Sequence, residues 1–139
     1  MNRGVRGERR DDSASALNHV GEHIVLSAIE VHRTLGPGLL ESAYQRCLQY
    51  ELTQRLLDVR CEVVSPIRYG AMTIDVGYRL DMLVEGKVII ENKTVEKLLP
   101  IHAAQLLTYL KLNDLKLGYL INWNVRRLLD GIHRYVNSL

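Results

Sequence analysis

Two carboxylates and a lysine stand inside the most β-prone part of this 139-residue chain. In YRLDMLVEGKVIIENKTVEK, Tyr78 to Lys97, Asp81 interrupts one apolar run and Glu91-Asn92-Lys93 closes a second. Unpaired charge buried in a strand costs several kcal/mol. Two acids held close together also repel and raise a pKa unless positive charge lies between them. A divalent cation supplies that charge. Carboxylate oxygens are the hard ligands Mg²⁺ prefers, and Mg²⁺ keeps waters that can attack phosphate. A lysine beside them would be a point charge able to stabilise a developing phosphorane.

Whether the acids share a face depends on the turn between the runs, because side chains alternate along a strand. A two-residue turn at Glu85-Gly86 would pair Val84 with Lys87 and send Asp81 and Glu91 to opposite faces. That turn needs φ > 0 at both central positions, which glutamate resists. A three-residue loop, Val84-Glu85-Gly86, pairs Leu83 with Lys87 and needs only Gly86 in the left-handed region. Asp81 then opposes Ile89, with Glu91 as its diagonal neighbour on the same face and Lys93 pointing the same way. On spacing alone the alternative is a solvated hairpin face, with Arg79, Asp81, Lys87, Glu91 and Lys93 making weak cross-strand pairs.

The elements that must position these residues follow from periodicity. Leu17, Val20, Ile24, Ala28, Val31 and Leu35 recur at helical spacing, which predicts a first helix over 17–35. The Gly-Pro-Gly at 36–38 stops it. A second helix is expected over 39–56, with Leu40, Ala43, Tyr44, Cys47 and Leu48 on its apolar face. Three β-branched segments punctuated by Gly70, Gly77 and Gly86 predict a meander. Pro100 opens a third helix over 100–113, KLGYLIN is a buried strand, and the last element is left untyped. The order ααβββαβ argues for an α/β sandwich around a mixed sheet.

Composition narrows the classes further. No apolar run reaches the ~18 residues needed to span a bilayer. The opening MNRGVRGERRDDSASA lacks an apolar leader core and reads as a flexible polar arm, 1–16, before one domain over 17–139. Cys47 and Cys61 form no metal-spaced cluster, which points to a reduced, cytoplasmic protein. Residues 17–92 carry seven Lys/Arg against ten Asp/Glu, and 93–139 carry seven against three. An acidic half beside a basic half suits a protein holding cations at one spot and phosphates at another, although chance scatter gives imbalances of this size as readily. His19 and His23, four apart on the first helix, could begin a zinc pair, but no third ligand is near and a solvated face is the simpler reading. Arg126-Arg127 and His133-Arg134 could touch phosphates, but isolated basic pairs of this kind are usually just solubilising.

Asp81, nine residues, then Glu91-x-Lys93 on a hairpin resembles the D…(D/E)xK signature of the PD-(D/E)XK nuclease superfamily. GLLESAY, with Gly38, Glu41 and Tyr44, resembles the motif that names its GxxExxY family of small proteins. Gln105 and Tyr109 in IHAAQLLTYLKL occupy a QxxxY position. The four motifs run in order from residue 38 to 109, and LGYLINWNV extends the likeness to about 137.

The resemblance implies a restriction-endonuclease-like αβα sandwich with a central mixed sheet. It implies a metal-dependent phosphodiester hydrolase acting on DNA or RNA, using Mg²⁺ for which Mn²⁺ can substitute. Asp81, Glu91 and Glu41 would hold the metal and Lys93 would stabilise charge. Tyr44 shares a helix face with Glu41, and His102, Gln105 and Tyr109 form an i, i+3, i+7 stripe suited to substrate contacts. With no separate reading module visible, specificity would come from nucleic-acid shape, a homodimer or a partner protein. The alternative is a non-catalytic nucleic-acid-binding or scaffold protein of the same fold. Two residues depart from the pattern. Leu80 replaces the usual proline, and Asn92 stands where an apolar side chain normally faces the core. A buried Asn needs hydrogen-bond partners, so a frayed or exposed strand end is expected there.

Overall fold

A computed structural model of the chain describes the backbone of residues 3–138 and the side chains of residues 13–138. The expected arm over 1–16 therefore lies in part outside the described residues. Helix α1 runs Arg3–Leu35, longer than the apolar repeat alone predicts, and buries Val20, Ile24, Ala28 and Val31 at that repeat's spacing. Gly36 (φ 70°) and Gly38 (φ 100°) end it in conformations that favour glycine. Helix α2, Glu41–Gln54, turns back across it.

Five strands form one sheet in sequence order: β1 Val59–Tyr69, β2 Met72–Val84, β3 Val88–Lys93, β4 Leu117–Asn122 and β5 Ile132–Val136. The untyped C-terminal element is thus a short edge strand, entered through a 3-10 turn at Leu128–Asp130. All neighbours pair antiparallel except β3 and β4. Those two are parallel because helix α3, Pro100–Leu112, carries the chain back over the sheet between them. Covered on both faces, β4 is buried along its whole length, as is β3 as far as Asn92. One core fills the space between α1, α2 and the sheet, centred on Trp123, Tyr44, Leu48 and Ile90. A smaller core lies under α3 around Leu80, Ile89, Leu106 and Leu120. The result is an αβα sandwich around a mixed sheet, consistent with a restriction-endonuclease-like fold. Among the described residues, no helix is long and apolar enough to cross a membrane.

The hairpin register differs from expectation. Val84 pairs with Val88, Leu83 with Ile89 and Met82 with Ile90. Glu85 (φ 54°) and Gly86 (φ 64°) both adopt positive φ, and the Lys87 N–H donates to the Val84 carbonyl at 3.0 Å. Glutamate tolerates this conformation because it is tied to Asp58. The Glu85 N–H donates to the Asp58 carbonyl, and Glu85 Oε2 accepts the Asp58 N–H at 2.7 Å. Continuing the observed register by one residue sets Asp81 directly across from Glu91, where a diagonal relation was expected.

The β1–β2 ribbon also rolls over at one place. Cys61 and Met82, a cross-strand pair, pack on the α1/α2 side, whereas the next pair, Val63 and Leu80, packs on the α3 side. Residues two apart on an undisturbed strand share a face, so the ribbon must turn between them. The turning residues are Glu62, at φ 54°, and Asp81. Beyond the roll, β1 and β2 extend to a tip at Tyr69 and Met72, where among the described residues no third strand pairs with them.

Candidate active site

The roll opens a gap between β2 and β3, and two carboxylates fill it. Regular pairing stops at Met82 and Ile90. One residue on, the Asp81 N–H donates to Glu91 Oε2 at 2.9 Å and the Asn92 N–H donates to Asp81 Oδ2 at 2.8 Å. Each acid thus supplies the acceptor that a ladder carbonyl would have provided, which answers why charge sits inside these strands. The arrangement also brings the two carboxyl groups together between the strands.

The environment is unfavourable to two negative charges. Burial pushes the Glu91 carboxyl up from 4.5 to about 8, and the neighbouring Asp81 charge adds to the rise. Burial likewise lifts Asp81 from 3.8 to about 6, helped by Glu41 and Glu62 and opposed by the Asn92 amide and Lys93. The charge of Lys93 favours the charged form of both acids, although it forms no ion pair within 4 Å with either. These residues fit a hard divalent cation. Both acids gain from added positive charge, and among the described residues each keeps one oxygen without a hydrogen-bond partner. No three His, Cys, Asp or Glu side chains among the described residues converge into a cage. A cation at Asp81 and Glu91 would complete its shell with water and substrate oxygens, as Mg²⁺ ordinarily does.

The remaining expected residues separate into two groups. Glu41 sits exposed on the first turn of α2, near enough to raise Asp81. Tyr109 stacks on Tyr78 with ring centroids 4.9 Å apart, and burial and then Glu91 and Asp81 raise its phenol. It therefore lies within electrostatic range of the acids. Gln105 is half-buried on the same helix. His102 is engaged locally, its Nδ1 accepting the Leu99 N–H at 3.0 Å at the helix start. Tyr44, expected to contact substrate, is instead fully buried. Its hydroxyl donates to the Gly36 carbonyl at 2.5 Å and accepts the Leu39 N–H at 3.1 Å, so it clamps the Gly-Pro-Gly loop. His19 and His23 are joined to each other at 3.1 Å, and Arg55 lies 3.1 Å from His23 Nδ1.

Asn92 is likewise not at a frayed end. It is fully buried on the α1/α2 side, with its Oδ1 accepting the Trp123 indole N–H at 2.9 Å. Its Nδ2 donates to Gln45 Oε1 at 3.1 Å and approaches Met82 Sδ at 3.3 Å. Gln45 then donates to Glu62 Oε1 at 2.9 Å. Glu62 and Gln45 escaped the sequence reading. Glu62 carries the same signal as Asp81, a lone acid in the β-branched run RCEVV, and the observed registers align Glu62, Asp81 and Glu91 in one row across three strands.

Comparison with protein families matches residues 18–135 to the PD-(D/E)XK nuclease superfamily. Comparisons with curated proteins and with solved structures give no match. The match covers most of the chain and includes every residue of the acidic gap: the chain belongs to the PD-(D/E)XK nuclease superfamily.

Proposed function

We propose that the chain is a divalent-metal-dependent nuclease of the GxxExxY type, hydrolysing phosphodiester bonds in DNA or RNA. The observation that carries this reading is the pair of reciprocally bonded acids, Asp81 and Glu91, in a gap between strands, with the charge of Lys93 acting on both. Asp81 and Glu91 would hold Mg²⁺ or Mn²⁺, with Glu41 from α2 adding negative charge and a water-bridged contact to the same cation. When bound, the cation supplies Lewis-acid polarisation of the scissile phosphate and lowers the pKa of attacking water. Lys93 places a fixed positive charge where negative charge grows on the phosphoryl oxygens. Water oxygen bonds to phosphorus, the bond to the leaving sugar oxygen breaks, and that oxygen takes up a proton. Tyr109 and Gln105, on the helix facing the acids, would orient the substrate. Both cysteines are free, in keeping with a reducing compartment such as the cytoplasm.

The test incubates purified protein with single- and double-stranded DNA and RNA plus Mg²⁺ or Mn²⁺, alongside Asp81→Ala and Lys93→Ala. Metal-dependent cleavage that both substitutions abolish is expected. Cleavage that persists in both would move the chemistry to another site. If nothing is cleaved and Mn²⁺ binding does not depend on Asp81, the protein is a non-cutting scaffold of the same fold.

A further inference from the structure

A cleft with three arginines among its lining residues lies at the same end of the parallel strands as the acids. Because β3 and β4 are parallel, the loops that follow both strands emerge at one edge. Those loops are locked together. The Trp123 N–H donates to the Lys93 carbonyl at 2.9 Å. Asn122 also bonds the Val95 N–H at 3.1 Å and the Val95 carbonyl at 2.9 Å. The loop after β4 carries Arg126 and Arg127, and His32 Nε2 donates to its Val125 carbonyl at 2.8 Å, fixing it against the end of α1. Between this loop and the end of α1 lies a mainly apolar cleft of about 240 Å³, lined by Ile29, Leu128 and Leu129 together with Arg33, Arg126 and Arg127.

Arg126 and Arg127 are exposed, and among the described residues neither forms an ion pair or a side-chain hydrogen bond. Arg33 is paired with Glu30. Glu96 and Asp130 share the two loops, so the edge is not uniformly positive, yet Arg126 and Arg127 both line the cleft and both are exposed without a partner among the described residues. Guanidinium forks match phosphate oxygens bidentately. Within the sheet, the β2–β3 gap and the β4–β5 end are two strand spacings apart, on the order of 10 Å, and the cleft lies farther out on the α1 side. With about 3.4 Å of axis per charge on each strand of a duplex, the separation within the sheet alone is roughly three phosphates.

We propose that Arg126 and Arg127, with Arg33 opposite, form a phosphate-backbone site that grips the nucleic-acid strand a few nucleotides from the bond cut at Asp81 and Glu91. The proposal rests on the nuclease reading for its ligand, but its test measures binding alone. Fluorescein-labelled duplex DNA and duplex RNA are titrated with the full chain in EDTA, by anisotropy, across a series of KCl concentrations. Each lost phosphate contact should lower the slope of log K against log salt by about 0.9. Arg126→Ala/Arg127→Ala should therefore weaken binding to at least one of the two duplexes and reduce the slope by roughly 2. Arg126→Lys/Arg127→Lys should restore most of the slope. Lys111→Ala/Lys116→Ala removes the same charge from the opposite end of β4 and should leave it unchanged. An unaltered slope in the arginine variant, an equal loss in the lysine control, or no binding of either duplex by the unmodified protein would overturn the proposal. Failure here leaves the cleavage assay with Asp81→Ala untouched, and failure there leaves this binding result standing.

Discussion

At the scale of single residues, the acids of the gap tie stability to pH in a defined direction. Asp81 stands at about 6 against an ordinary 3.8, and Glu91 at about 8 against 4.5. The folded protein holds protons that the unfolded chain releases. Their stabilising contribution is complete below about pH 4 and is lost as pH rises through 6 and then 8. Under chelation, the melting temperature is expected to fall across that window relative to Asp81→Asn/Glu91→Gln. Mg²⁺ should restore it most at the alkaline end, since protons compete for the same oxygens below. A scan of melting temperature against pH with and without Mg²⁺ measures both. Lys93→Ala should lower the cleavage rate by about 10²–10³-fold, the usual effect of removing one preorganised charge-stabilising donor. Asn92→Leu, close in volume, strands the Trp123 indole and the Gln45 amide. It should cost about 1–3 kcal/mol in a urea melt.

At the scale of elements, most of the order was legible because it rests on local periodicity. The helical repeat from Val20 to Val31, the glycine stops and Pro100 at the first turn of α3 are all short-range signals. What escaped was long-range. The turn at Glu85-Gly86 adopts a conformation that glutamate disfavours because Asp58, far away in sequence, holds it there. The roll at Glu62 depends on which face each half of the ribbon buries, and no window of β1 alone contains that information. The same-face expectation for the acids survived a mistaken register because the observed pairing sets them directly opposite. Gly86→Ala places a Cβ at φ 64° and should destabilise by about 1–2 kcal/mol, read by the same melt.

At the scale of the whole molecule, the side chains that join the helical layers to the sheet among the described residues include Asn92, which makes several such links. Its backbone serves the acidic gap while its side chain ties β3 to α2 through Gln45 and to the end of β4 through Trp123. The sequence marked Asn92 only as a departure from the family pattern. Its partners lie 47 and 31 positions away, beyond any spacing argument. Trp123 is the one tryptophan in the chain and is fully buried, stacked on Tyr44 at 4.9 Å. Its emission should shift to the red in a single transition that coincides with loss of far-ultraviolet circular dichroism. Separate midpoints would show that the α1/α2 layer and the sheet unfold independently. The gap itself offers a spectroscopic handle. The amide protons of Asp81 and Asn92 point at ionisable oxygens, so in a ¹⁵N-resolved magnetic-resonance spectrum those two signals should migrate together on titration. They would report occupancy of the centre by proton or cation without any substrate being turned over.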